Sequence, residues 1–356
     1  MLFRSAQDRS FSYLSEFRFA DNKFVRLVDD ALKTVQTAGH DRYAFGIDTR
    51  EYDLASAYTG RRYEDVYGVD VRTGERKLLL KKHVPSTQLP SPDGKELLYW
   101  GDDGQYWVMD VTTGAKRDIT KSTGVSFANT DDDHNNLVPP PRFPLGWSKD
   151  GGSVLLNDGW DVWKVPTRGA GTAVNLTGDG RKSQTRYQRL YSFDRGGAGG
   201  GGGRGGRGGG RGGPGGGAGG EGIDLSQPLY FGTYGEWTKK AGLSRVDPNV
   251  PGAKQLMWDD ASFNFEKARE ADVYVYQRQS STDAPNYYVA NADLKSGRQI
   301  TDANPQQKEF AWSPGVKLIN YTSAKGDKLQ GALYLPANYE PGKKSAPCSL
   351  SPLALV

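Results

Sequence analysis

Residues 89–120 read LPSPDGKELLYWGDDGQYWVMDVTTGAKRDIT. Pro92, Asp93 and Gly94 make a tight turn, and the turn launches a short apolar run in which side chains alternate. A second aromatic and β-branched run, YWVMD, follows and breaks at Thr113-Gly114. The Thr-Gly step supplies a left-handed turn residue, so the segment predicts a β-hairpin. The chain then closes on Ile119-Thr120.

The same arrangement recurs along the chain. Its hairpin half reappears as YEDVYGVDVRTGERKLLL (63–80), GWDVWKVPTRGAGTAVNLT (159–177), KKAGLSRVDPNVPGAKQLMW (239–258) and NYYVANADLKSGRQIT (286–301). The opening half returns as LGWSKDGGSVLLND (145–158) and FAWSPGVKLINY (310–321). Gly74 and Gly114 stand 40 residues apart, and Gly252 and Gly297 stand 45 apart. That period is four strands per unit, the size of a β-propeller blade. A β-sandwich is the competing all-β fold, but it does not require such a period. The expectation is an all-β chain: an incomplete β-propeller of about five to six four-stranded blades. Helix-like stretches are expected only at about 21–36 and 265–271.

Composition narrows the function classes. No run of about 18 apolar residues occurs, so no membrane partner is expected. The opening MLFRSAQDRSFSYLSEF has no apolar stretch of the secretory type. A single cysteine, Cys348, leaves no internal disulfide. The net charge is +4, of which Arg195, Arg204, Arg207 and Arg211 against Glu221 account for +3, so the rest of the chain is close to neutral. Residues 196–222 hold 20 of the 47 glycines, which marks 195–222 as a Gly/Arg-rich insertion within one blade, expected to be disordered. Arg-Gly-Gly spacing can track phosphate and stack on bases. Here no aromatic residue lies between the arginines and no second basic patch supports them, so nucleic acid is not an expected partner.

Catalytic patterns are absent from the sequence. A nucleophile elbow needs Gly-x-Ser-x-Gly, and none occurs; Ser153 in GGSVL and Ser244 in GLSRV lack the second glycine and read as structural. His40, His83 and His134 show no metal spacing. Asp131–Asp133 fails as a calcium loop, because Asn136 and Arg142 occupy the positions that need Gly and Glu. No catalytic, metal or cofactor residues are therefore assigned, and no cofactor is expected. Glu266 and Glu270 in NFEKARE would share one face of a short helix and could hold a cationic amine. Trp147, Trp160 and Trp163 are expected to pack between blades.

The order of motifs resembles the propeller portion of the prolyl oligopeptidase family of serine peptidases, in particular its dipeptidyl-peptidase-like and acylaminoacyl-peptidase-like bacterial members. The segments that carry the resemblance are SPDGKELLYW (91–100), GWSKDGGSVLLNDGWDVWKV (146–165), NLTGDGRKSQTRYQRL (175–190), YGEWTKKAGL (234–243) and the long stretch from Ile300 to Lys344. Within the last, LQGALYLPANYEPGKK is similar to the crossing from propeller to α/β-hydrolase domain. The resemblance implies blades over 1–312, a linker and first strand towards a hydrolase domain over 313–344, and an aberrant tail over 345–356. It implies a propeller that gates peptide access to a hydrolase domain, with the Ser, Asp and His of the chemistry beyond this chain, which by itself would be inactive. Members of that family are often periplasmic or secreted, which leaves the localisation of this chain open, and an incomplete ring is expected to self-associate through its exposed blade edges. The alternatives are a stand-alone propeller that binds proteins or peptides and, more remotely, RNA binding through the Gly/Arg tract.

Overall fold

The computed structural model describes residues 12–37, 42–85, 87–136, 138–169, 171–191, 193, 222–268, 271–337, 339–343 and 349–353. Residues 195–221 of the Gly/Arg tract, His40, Glu270 and Cys348 lie outside these residues.

The fold is all-β, and its sheets are propeller blades. A two-stranded ribbon comes first, β1 (Ser15–Arg18) with β2 (Lys23–Arg26). Five four-stranded antiparallel sheets follow, each with strands ordered as they occur in the chain. Blade 1 comprises β3 (Thr34–Thr37), β4 (Tyr43–Asp48), β5 (Glu64–Asp70) and β6 (Arg76–His83). Blade 2 comprises β7 (Gln88–Pro90), β8 (Glu96–Trp100), β9 (Tyr106–Asp110) and β10 (Lys116–Asp118). Blade 3 comprises β11 (Gly146–Trp147), β12 (Ser153–Asn157), β13 (Val162–Pro166) and β14 (Val174–Asn175). Blade 4 comprises β15 (Thr185–Tyr191), β16 (Leu229–Gly235), β17 (Ala241–Val246) and β18 (Lys254–Asp259), with the Gly/Arg tract inserted between β15 and β16. Blade 5 comprises β19 (Ser262–Lys267), β20 (Val273–Gln279), β21 (Asn286–Asn291) and β22 (Arg298–Gln299). A three-stranded sheet ends the chain: β23 (Val316–Thr322), β24 (Lys328–Tyr334) and β25 (Ser349–Leu353). Short helices include α1 (Asp53–Thr59) and α2 (Gly180–Ser183).

These elements form two compact units. The first holds the ribbon and blades 1–3, together with 222–228 and 248–252; the second holds blades 4 and 5 and the final sheet. In the first unit, alternation works on both faces of a strand. Leu97 and Tyr99 of β8 pack with Phe45, Val66, Leu79 and Leu80 of blade 1. Leu98 and Trp100, which point the other way, pack with Trp147, Val154, Leu156 and Val165 of blade 3. A strand buried on both faces explains why ELLYW carries two adjacent leucines rather than an apolar-polar alternation. Trp147 packs between blades as the sequence implied, and its indole N–H donates to the Leu89 carbonyl at 3.0 Å. The second unit buries Leu243, Phe265, Tyr274, Tyr276 and Ala290 between blades 4 and 5.

Repeated polar contacts account for the repeated motifs. Ser91 Oγ donates to Asp93 Oδ1 and accepts the Glu96 N–H; Ser148 does the same with Asp150 and Ser153. Gly74 and Gly114 sit at φ 76° and 79°, and their N–H groups return to the carbonyls of Asp70 and Asp110. The closing threonines act as clasps. Thr120, Thr177 and Thr301 accept the backbone N–H of Tyr106, Val162 and Tyr287, and donate to Gln105, Asp161 and Asn286.

Two helical expectations fail. Residues 21–36 form β2, a turn and β3, because Asp29 Oδ1 captures the N–H groups of Ala31 and Leu32 and so stops a helix before it can propagate. Residues 262–267 form β19, where the period-2 pattern of SFNFEK aligns Phe263 and Phe265 on one face against Tyr276. Tertiary packing of that aromatic face overrides local helix propensity.

Candidate functional site

The structure places the Glu266 carboxylate on an exposed position of β19, across from Val275. The helical i, i+4 geometry that would have set it beside Glu270 does not form there. Ser153 and Ser244 are buried strand residues, 7% and 2% exposed. Asp131 is tied to Arg142 at 2.5 Å, and Asp132 binds the backbone and Nδ1 of His134 at 2.8 and 2.6 Å. That hydrogen bond to Asp132 raises the His134 pKa above its ordinary value.

Within the first unit, three loops that are far apart in sequence enclose a cleft of about 340 Å³, lined by Gly60, Arg61, Arg62 and Tyr63, by Val84 and Pro85, and by Asn135, Asn136 and Val138. The first wall begins where α1 stops. Gly60 adopts φ 69°, a conformation open to glycine, and its N–H closes on the Ser56 carbonyl at 2.9 Å. The chain then runs through Arg61–Tyr63 into β5.

Asp65 holds this wall to its neighbour. It is 5% exposed and accepts the Tyr52 hydroxyl at 2.7 Å, the Lys82 N–H at 2.8 Å and Lys81 Nζ at 3.3 Å. Burial by itself would raise the Asp65 pKa, but the bonds from Lys82, Tyr52 and Lys81 together outweigh it and hold the carboxyl below its usual range. Lys81 also pairs with Glu51 at 2.7 Å, and its two carboxylate partners raise its pKa. Register slips between β5 and β6 on either side of Val66, and next to that bulge Lys82 adopts φ 50°. The bulge re-aims the lysine. Its Nζ stands 5.2 Å from the centre of the Tyr63 ring. His83, one residue on, is buried against Tyr99; burial depresses its pKa and keeps the imidazole neutral.

The sequence reading missed this cleft. GRRY (60–63) carries no catalytic spacing, and only the fold brings it to Asn135 and Asn136. A local signal existed in two adjacent arginines directly after a helix-ending glycine.

Neither the scan against family models nor the search of curated proteins finds a match. Solved structures do match. The chain aligns with Porphyromonas gingivalis dipeptidyl peptidase 4 at a TM-score of 0.55 and 9% identity, covering 92% of this chain and 48% of that one. A structure from Bacteroides ovatus assigned as a dipeptidyl aminopeptidase IV aligns at a TM-score of 0.53 and 11% identity, covering 93% of this chain and 52% of that one. The chain has the fold of a peptidase propeller. It spans about half the length of these two structures, and the matched half is their propeller portion. At these identities the likeness is one of fold.

Proposed function

We propose that this chain is the propeller portion of a prolyl-oligopeptidase-type serine peptidase, and that its role there is to gate peptide access to a hydrolase domain. The supporting observation is the alignment of over nine-tenths of the chain with about half of each dipeptidyl peptidase 4-type structure. On this reading 1–312 are blades and 313–344 lead towards the hydrolase domain. The family's triad Ser is expected in a Gly-x-Ser-x-Gly elbow, a motif this sequence lacks. The chain by itself therefore turns over neither dipeptidyl nor acyl-amino substrates. In isolation it self-associates through exposed blade edges.

Reading the gene past the Lys344 codon in all three frames tests the proposal directly. A Gly-x-Ser-x-Gly segment followed by Asp and His supports it. A continuous coding region without them, or turnover that co-purifies with the homogeneous chain, refutes it. In the first of these two cases the protein would be a free-standing binding propeller.

A further inference from the structure

Several cations in the first unit are committed to carboxylates. Arg50 pairs with Asp48 at 2.8 Å, Arg76 with Asp29 at 3.0 Å, Arg142 with Asp131 at 2.5 Å, and Arg117 and Arg168 share Glu96 at 2.9 Å. Arg61, Arg62 and Lys82 belong to the remainder. Among the described residues none of the three has a carboxylate within 4.0 Å; Arg61 and Arg62 line the 340 Å³ cleft, and Lys82, outside the lining, holds its Nζ 5.2 Å from the ring of the lining Tyr63.

This concentration is built into the backbone. Lys82 sits at φ 50° beside a β-bulge, with its N–H fixed by buried Asp65. A non-glycine residue in that region is strained and persists only when its surroundings impose it. An ordinary β5–β6 ladder would send Lys82 elsewhere; the bulge sends it to the ring of Tyr63. Asn135 and Asn136, whose side chains can both donate and accept, also line the cleft, and Val84, Pro85 and Val138 give apolar surface. Of the three acidic groups just before Asn135, Asp131 pairs with Arg142, and Asp132 and Asp133 stand 2.6 and 3.7 Å from His134 Nδ1.

We propose that this cleft binds a carboxylate of a peptide, with Arg61, Arg62 and Lys82 receiving the anion and Asn135 and Asn136 meeting the adjoining peptide groups. Planar guanidinium forks match a carboxylate in bidentate geometry, and amides suit an extended backbone. The cleft volume lies at the lower end of small-ligand sites, which fits a short peptide terminus rather than a folded partner. The inference deepens the peptide-gating role proposed above and rests on it.

The test is calorimetric titration of the purified chain with acetyl-tetra-alanine as the free acid, the same peptide as its C-terminal amide, an amidated version carrying one Glu, and inorganic phosphate. Losing a charge-assisted contact costs about tenfold to a hundredfold in affinity, so the free acid is expected to bind at least about tenfold tighter than the neutral amide. The Arg61→Ala/Arg62→Ala variant, altered only at exposed positions, should lose that preference while keeping its melting temperature. Lys82→Gln should reduce it and leave the fold intact. If the Glu peptide matches the free acid, a side-chain carboxylate also serves, and the proposal stands. Equal binding of acid and amide, a preference that survives in the double-arginine variant, or phosphate binding as tight as the peptides would overturn it. Absence of binding by any peptide would also overturn it, while the peptidase reading would still be decided by the gene sequence past Lys344.

Discussion

Replacing Thr177 with Val keeps the shape of the side chain and removes one hydroxyl. Thr177 is 1% exposed, and its Oγ1 accepts the N–H of Val162 at 3.1 Å and donates to Asp161 Oδ1 at 2.6 Å. Val162 is fully buried and Asp161 is 5% exposed, so water cannot replace the hydroxyl on either side. An orphaned buried donor costs about 1–3 kcal/mol, and a hydrogen bond to a charged acceptor contributes about 1.5–3 kcal/mol. Thr177→Val should therefore destabilise the chain by roughly 3 kcal/mol. Thr301 makes the same two contacts in blade 5, but Tyr287, which donates to it, is 44% exposed. Water can take over there, and Thr301→Val should cost below about 1 kcal/mol. Urea unfolding followed by tryptophan fluorescence reads both, with Trp160 and Trp163 close to the Thr177 clasp. Equal losses for the two variants would refute the claim that burial, rather than the motif itself, sets the energy of the clasp.

Three further outcomes follow from the same coordinates. Leu98→Ala opens a cavity between blades 2 and 3, where Leu98 is fully buried, and should cost about 2–5 kcal/mol in the same urea titration. Gly242→Ala places a methyl group 1.8 Å from the Met257 carbonyl oxygen; β17 and β18 cannot then pair as they do, and loss of soluble protein or of the blade 4 amide-exchange protection is the expected readout. His83 supplies a pH dependence. Its folded pKa is depressed by burial, so the unfolded chain binds a proton that the folded chain refuses. Stability from this residue is present above the unfolded value of about 6.5 and falls as pH drops below it. His134, whose pKa is raised, has the opposite sign. Melting temperatures of wild type and His83→Asn between pH 7.5 and 5.5 isolate the first effect, and parallel curves would contradict it.

The blade repeat was legible in the sequence because each of its signals is short-range. Asp70 to Gly74 and Asp110 to Gly114 close turns over five residues, and Ser91 and Ser148 reach only to the start of the next strand. Threonine at the end of blades 2, 3 and 5 is the nearest thing to a long-range signal, since it clasps a strand 14 or 15 residues back. Such contacts do not depend on what lies beyond the hairpin, so their residues can be read directly. The expected packing of Trp147 between blades was legible for the same reason, as alternation fixes which face of a strand a residue occupies.

Tertiary structure alone decided the rest. Residues 265–267 carry no local instruction that separates strand from helix; the aromatic face of β20 decides it by offering Tyr276 to Phe263 and Phe265. The cleft is a stronger case. Arg61 and Arg62, Lys82, and Asn135 and Asn136 come from three loops separated by some 20 and 50 residues, and no pattern in any one loop refers to the others. What brings them together is a bulge between β5 and β6, the buried Asp65 that pins it, and the packing of successive blades. Local chemistry wrote the turns and strands; the meeting of distant loops, and the uncommitted positive charge they gather, exists only once the sheets are stacked.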